Sequence, residues 1–385
     1  MTKKKTKLLE NIKVSFGGWY QRTTLHLSEI YDFFVSGSSK LPLDADKLKK
    51  LRKSLNLVEV SRESGYLEYV LAKTTDGIEI RYYEDGLYVL ELEADDISSV
   101  AERKKQLEKY WEESMSPAIS YIFSLGAPTP KILANIKTVH PTVITGTVPD
   151  PSRFLPENSF GPVYSTISSD GITAIKTPFY IFVVTAEKAF SSALPVVENM
   201  IFFREFKDQL EKYLNIHRSV WEEISDIKEK RNISGSDVGT IRGKLDGYQK
   251  TISLISNRIN QMGSYVRTRS SIAKGMNIEE YLAGFFQFKF ETLVDTLDYI
   301  KEIWKMTSDY LNASIQNLQE IKNQSATRGI QSLQLITSLG VISGIIGYLS
   351  KNEVPQVTFI GAAYFAAIIL IAWSLNRFIS GFYRR

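Results

Sequence analysis

Two windows near the C-terminal end constrain this chain more than anything else in it: Gly329 to Ser350 and Val354 to Asn376 contain no Asp, Glu, Lys or Arg. They are 22 and 23 residues long. At about 1.5 Å of rise per residue, a helix of either length crosses a hydrocarbon core of about 30 Å. A buried helical hairpin in a soluble core needs only about 10 to 14 apolar residues per helix. The windows therefore predict two transmembrane helices, 329–350 and 354–376, joined by an external loop, 351–353, and followed by a basic tail, 377–385.

The flanking charges set the expected orientation. Lys322 and Arg328 precede the first window and Arg377, Arg384 and Arg385 follow the second, while the link holds only Lys351 and Glu353. Both ends are expected in the cytoplasm, with the chain in the inner or plasma membrane. The start, Met1 to Gly18, is basic but has no apolar run, so no secretory signal is expected there. Lys3, Lys4, Lys5 and Lys7 read as a solvated tip rather than a headgroup site.

Composition closes off several function classes. The chain has no cysteine, which excludes disulfides and thiolate metal sites. Its 47 basic and 43 acidic residues give a net charge of +4, too small to argue for a nucleic-acid partner. With three histidines, a zinc site or a histidine-based triad is not expected. The glycine-containing segments SFGGWYQR and GSDVGTIRGK match neither the P-loop nor the dinucleotide fingerprint. No enzymatic activity is expected.

Residues 1–186 read as a cytoplasmic α/β domain. Segments 66–73, 77–84 and 87–94 alternate in hydrophobicity and are separated by Asp-Gly turns, the signature of antiparallel hairpins. A helical pattern follows over 96–125, then strands within 131–148, 162–169 and 179–185. Four prolines and a glycine between 148 and 162 predict a loop carrying Arg153 and Phe154. Residues 187–328 read as a long-helix stalk, with helices over about 187–231 and 237–273 and a third starting near Asn277. On that third helix Leu293, Leu297, Ile300, Trp304, Ser308, Leu311, Ile315 and Leu318 form a heptad-like seam. No proline interrupts the chain between Pro195 and Pro355, so the third helix is expected to run on into the first window, for roughly 70 residues or about 100 Å. The fold class is thus α+β, with stalk helices and a C-terminal two-helix membrane hairpin.

Two helices cannot enclose water within lipid, so a pore requires several copies around an axis. Thr327, Gln331, Gln334, Ser338 and Val341 recur at steps of four and three and share one face of the first span. Polar groups at that depth face protein or water. These residues are the expected pore lining, with Val341 and Ile345 as apolar constrictions. A closed bundle with ordinary interhelical hydrogen bonds is the other reading of the same stripe. Gly340, Gly344 and Gly347 would let helices approach closely, and the plainer second span suits the lipid-facing position.

Taken together, these parts resemble the CorA-type two-transmembrane ion transporters, over roughly Asn277 to Arg385. The resemblance implies a homo-oligomer, expectedly a pentamer, passing Mg²⁺ or related divalent cations, with the bilayer and further copies of the chain as its partners. Members carry Gly-Met-Asn at the end of the first span. Here the segment Gly347 to Gln356 lacks it, and Asn352 and Glu353 are the nearest substitutes at the external mouth. Gly275, Met276 and Asn277 spell the motif far upstream, where Asn277 with Glu280 reads as an N-cap and capping box opening the third helix. The missing motif also resembles a divergent branch found beside type III CRISPR systems, whose soluble domain senses a nucleotide-type messenger and whose membrane part acts as an antiviral effector. A binding domain on an inert membrane anchor is the third reading. A messenger of that kind would need arginines presented by loops or helix ends, and Arg153, Arg267 and Arg269 are the candidates. Asp295, Asp298, Glu302 and Asp309 would be solvated residues or regulatory divalent-cation ligands.

Overall fold

Strand β1 (Glu10–Trp19) alternates Ile12, Val14 and Phe16 on one side with Lys13, Ser15 and Gly17 on the other, and the sheet is built around it. The computed structural model describes residues 9–21, 26–126, 142–169, 171–229, 237–279, 282, 290–349 and scattered helical residues from 359 to 377. The chain divides into two units, Met1–Ile216 with Leu254–Ile303, and His217–Ser253 with Trp304–Arg385. The long helices contribute to both units.

In the first unit β1 is joined by β2 (Leu57–Ser64), β3 (Glu68–Thr74), β4 (Glu79–Tyr83), β5 (Leu87–Glu93), β6 (Thr142–Thr147), β7 (Ser165–Ser169), β8 (Ile172–Lys176) and β9 (Ile181–Thr185). They form one nine-stranded sheet in the order β2-β3-β4-β5-β1-β6-β9-β8-β7. Every pairing is antiparallel except β6 with β9. The meander β3-β4-β5 stands where the Asp-Gly turns placed it, and Gly77 and Gly86 take the positive φ of 81° and 88° that those turns require.

One face of the sheet is apolar throughout. Ile12, Val14, Phe16, Val70, Ile80, Leu90 and Phe182 share a core with helices α1 (Leu27–Ser36), α2 (Ala45–Ser54), α3 (Val100–Tyr110) and α4 (Ser116–Gly126). Between α3 and α4 the helix widens into a π-turn, Trp111–Met115, where the sequence predicts one unbroken helix. The turn seats Trp111 flat on Tyr88, with ring centroids 4.2 Å apart. The sequence reading did not include β1, β2, β8, α1 or α2. The loop after β6 is there as expected, but Phe154 is buried against Phe182.

The opposite face receives helices α5 (Phe190–Lys228) and α6 (Asp237–Gly275). Trp19 meets Phe202 and Phe206 of α5 and Tyr265 of α6, each at 5.5 to 5.6 Å. Helix α6 closes on Asn277, whose left-handed φ of 55° turns the chain while the Ile278 N–H bonds back to the Ala273 carbonyl at 3.0 Å. Asn277 thus ends α6 rather than opening the next helix. The N-cap expectation fails because an N-cap residue needs extended backbone, which a φ of 55° is not.

Helix α7 (Phe290–Leu349) is continuous over 60 residues, about 90 Å at the α-helical rise. Its buried positions are Phe290, Leu293, Leu297, Ile300, Trp304, Thr307, Leu311, Ser314 and Leu318, a strict alternation of three and four. The expected seam misplaced two members: Ser308 and Ile315 are half-buried, and their neighbours Thr307 and Ser314 hold the seam. Only a sustained 3.5-residue period keeps one stripe inward, and two successive steps of four rotate off it. In the second unit Trp221 stacks on Tyr310 at 4.6 Å, Lys228 lies 4.1 Å above the same ring, and His217 meets Trp304 edge-on at 5.8 Å.

Candidate functional site

Beyond Leu318 none of the side chains described on helix α7 is buried. Thr327, Gln331, Gln334 and Ser338 are all exposed, on one face, as the stripe requires. The hydroxyls are satisfied within the helix, Thr327 Oγ1 donating to the Asn323 carbonyl at 2.9 Å and Ser338 Oγ to that of Gln334 at 2.7 Å. Such back-bonds lower the cost of placing a hydroxyl in an apolar medium. Gln331 and Gln334 therefore carry the polar character of the stripe. The apolar residues around them are uncovered as well, with Ile330, Leu333, Leu335, Leu339 and Ile342 between 53% and 64% exposed. A Cβ added at Gly340 or Gly344 would meet nothing within 4 Å.

The side chains of Val341 and Ile345, and the expected external mouth at Asn352 and Glu353, lie outside the described residues. So does much of the window 354–376, although Phe359, Ile360, Leu370, Ile371 and Trp373 within it are exposed. Among the described residues no helix is long and apolar enough to cross a membrane. None of them forms a group of three or more histidine or acidic side chains fit to hold a metal ion.

The three candidate arginines are not brought together. Arg153 stands on its loop, its side chain 82% exposed and 3.1 Å from Asp150. Arg267 is exposed on α6. Arg269 is buried at 2% exposure and bound by Asp85 through two bonds, Nε to Oδ2 at 2.6 Å and Nη2 to Oδ1 at 3.0 Å. It occupies a seam position of α6, continuing the series Ile255, Ile259, Met262 and Val266.

Arg269 belongs to a polar cluster on the sheet face that receives α5 and α6. Arg81 of β4 contacts three carboxylates: Glu79 through Nη1, Glu91 through Nη2 at 3.0 Å, and Glu198 of α5 through Nε at 3.5 Å. Glu91 also accepts from Lys13 at 2.8 Å and Ser15 at 3.2 Å. Glu198 accepts a hydrogen bond from the Tyr83 hydroxyl. Burial alone would pull the guanidinium of Arg81 down, but Glu91, then Glu198, Tyr83 and Glu79, more than offset it and hold it above its ordinary value. Burial likewise opposes the charge on Glu91, yet Arg81 and Lys13 hold its carboxyl below the usual range. At Glu198 burial prevails over Arg81 and Tyr83, and the carboxyl is raised. Sequence reasoning missed Arg81, Asp85, Glu91 and Glu198. Only Glu198 carried a signal, a charge inside the apolar run Pro195 to Phe203; Arg81 and Glu91 stand at the polar positions of alternating strands and Asp85 in an Asp-Gly turn, where charge is ordinary.

No family model matches the chain. No curated protein matches it either. Among solved structures it is similar to the CorA magnesium transporter of Methanocaldococcus jannaschii, at 9% identity and a TM-score of 0.34, over 65% of this chain and 93% of that one. At that score the two folds coincide too loosely for any property of the transporter to carry over.

Proposed function

We propose that this chain is one subunit of a homo-oligomeric membrane channel, with the sheet-bearing unit as its cytoplasmic regulatory part. One observation carries the reading. Helix α7 runs without a break from a buried seam into a stretch with no charged residue, where the chain itself leaves Ile330, Leu333, Leu335, Leu339 and Ile342 uncovered. Apolar surface of that extent calls for lipid or other copies of the helix. Gln331 and Gln334 on that stretch would be costly facing lipid and are accommodated when several copies turn them toward a common water-filled axis. The substrate class of the proposal is a partly hydrated cation, because amide rings without fixed charge replace hydration only partly.

The test is ion flux through liposomes holding the purified full-length protein. Cation flux is expected, and Gln331→Leu should change the unit conductance at least several-fold while leaving incorporation intact. Flux appearing only with cyclic or adenylated nucleotides would reassign the chain as a messenger-gated effector. Absence of flux with and without Mg²⁺ or nucleotide overturns the channel reading.

A further inference from the structure

The sheet face under α5 and α6 carries an unequal set of charges. Lys13, Arg81 and Arg269 are its cations, and Glu79, Asp85, Glu91 and Glu198 are its carboxylates, so three positive groups meet four negative ones. The pairing is uneven too. Asp85 takes both bonding edges of Arg269. Glu91 takes Lys13 and the Nη2 of Arg81, and Glu79 takes Nη1. Glu198 has the remaining, longest contact, 3.5 Å from an Arg81 Nε that makes no hydrogen bond. Its hydrogen bond comes from Tyr83, a neutral hydroxyl.

We infer that Glu198 is a proton-binding site in the fold, and that its protonation controls how firmly α5 seats on the sheet. Among the described residues, Arg81 and Tyr83 on β4, Glu91 on β5, Tyr69 on β3 and Arg269 on α6 act on it, while Lys13, Glu79 and Asp85 are bound to members of that set, Lys13 to Glu91, Glu79 to Arg81 and Asp85 to Arg269. Together they leave one carboxylate in excess, and a buried carboxylate without a full partner takes up a proton rather than bear the desolvation cost. With that proton bound the cluster is neutral and the Tyr83 bond is kept, since the unprotonated oxygen still accepts it. Without it, Glu198 carries a buried negative charge that the nearby Glu91 opposes.

The raised carboxyl fixes the direction of the effect. A group that binds its proton more tightly folded than unfolded stabilises the fold fully below its unfolded value, and that contribution is lost as pH rises through its folded value. Glu91, held low, acts the other way and is lost only on acidification. This inference does not depend on the channel reading.

The experiment follows chemical unfolding of the full-length protein in detergent, with hydrogen exchange over residues 195–206, across pH 4 to 9. Wild type is expected to lose stability and protection in α5 as pH rises above the ordinary carboxylate range. Glu198→Gln, which keeps the acceptor and removes the titration, should abolish that loss. Tyr83→Phe removes a bond that favours the ionised form, and should move the loss to higher pH. Wild-type and Glu198→Gln curves that run parallel overturn the inference. Should Glu198→Gln fail to fold, a midpoint unmoved in Tyr83→Phe overturns it instead.

Discussion

Arg269 shows how the fold can enclose a side chain that the sequence offers to a ligand. The sequence offers it as a ligand-binding arginine near a helix end; the fold closes it behind Asp85, with the rings of Tyr83 and Phe202 at 5.1 and 5.5 Å. Removing one member of such a pair leaves the other buried and uncompensated, at a cost of about 3 to 5 kcal/mol. Arg269→Met should therefore lower the unfolding free energy of the first unit by that amount, measured by denaturant titration. Adding Asp85→Asn should recover part of it, and a double variant no better than the single would mean that Asp85 is not the group left exposed to the loss. The helix that carries Arg269 was legible in the sequence, but its buried face was not. Nor could the partner be read, because Asp85 is 184 residues away and only the fold of the β4–β5 turn brings it there.

At the scale of elements, periodicity decided what could be read and where the reading slipped. The hairpins β3-β4-β5 and the long helices declare themselves through turn residues and an uninterrupted period. Strand β1 did not, because Gly17 and Gly18 dilute its alternation and a lysine-rich stretch precedes it. The π-turn at Trp111 was equally hidden, since one added residue per turn leaves no mark in the sequence. Along α7 the seam slipped by one residue at Thr307, which resembles its neighbour Ser308, and at Ser314, beside which the apolar Ile315 reads as the better core residue. That slip is testable. Thr307→Lys forces a charge into a fully buried seam position and should be severely destabilising, whereas Ser308→Lys, half-buried beside it, should stay within about 1 kcal/mol of wild type. Equal effects in thermal unfolding would return the seam to Ser308.

For the whole molecule, the question is what covers the distal end of α7 and the window beyond it. The buried seam ends at Leu318, while the helix continues to Leu349 with Ile330, Leu333, Leu335, Leu339 and Ile342 outward. Charge-free windows on either side of residue 351 were the plainest feature of the sequence, and the uncovered leucines and isoleucines agree with a destination outside the chain. Lipid and a second soluble protein make different demands on that surface. Lipid tolerates no charge at depth: an aspartate at the centre of a spanning helix costs about 2.5 to 3.5 kcal/mol in membrane insertion. Leu339 and Ile342 lie near the middle of the first window, and both are more than half exposed. Leu339→Asp with Ile342→Asp should therefore release the full-length protein from liposomes in a flotation gradient, while the unfolding of the sheet-bearing unit, whose core neither residue enters, stays unchanged. If the double variant floats as wild type does, the window lies outside the bilayer and its apolar face belongs to protein.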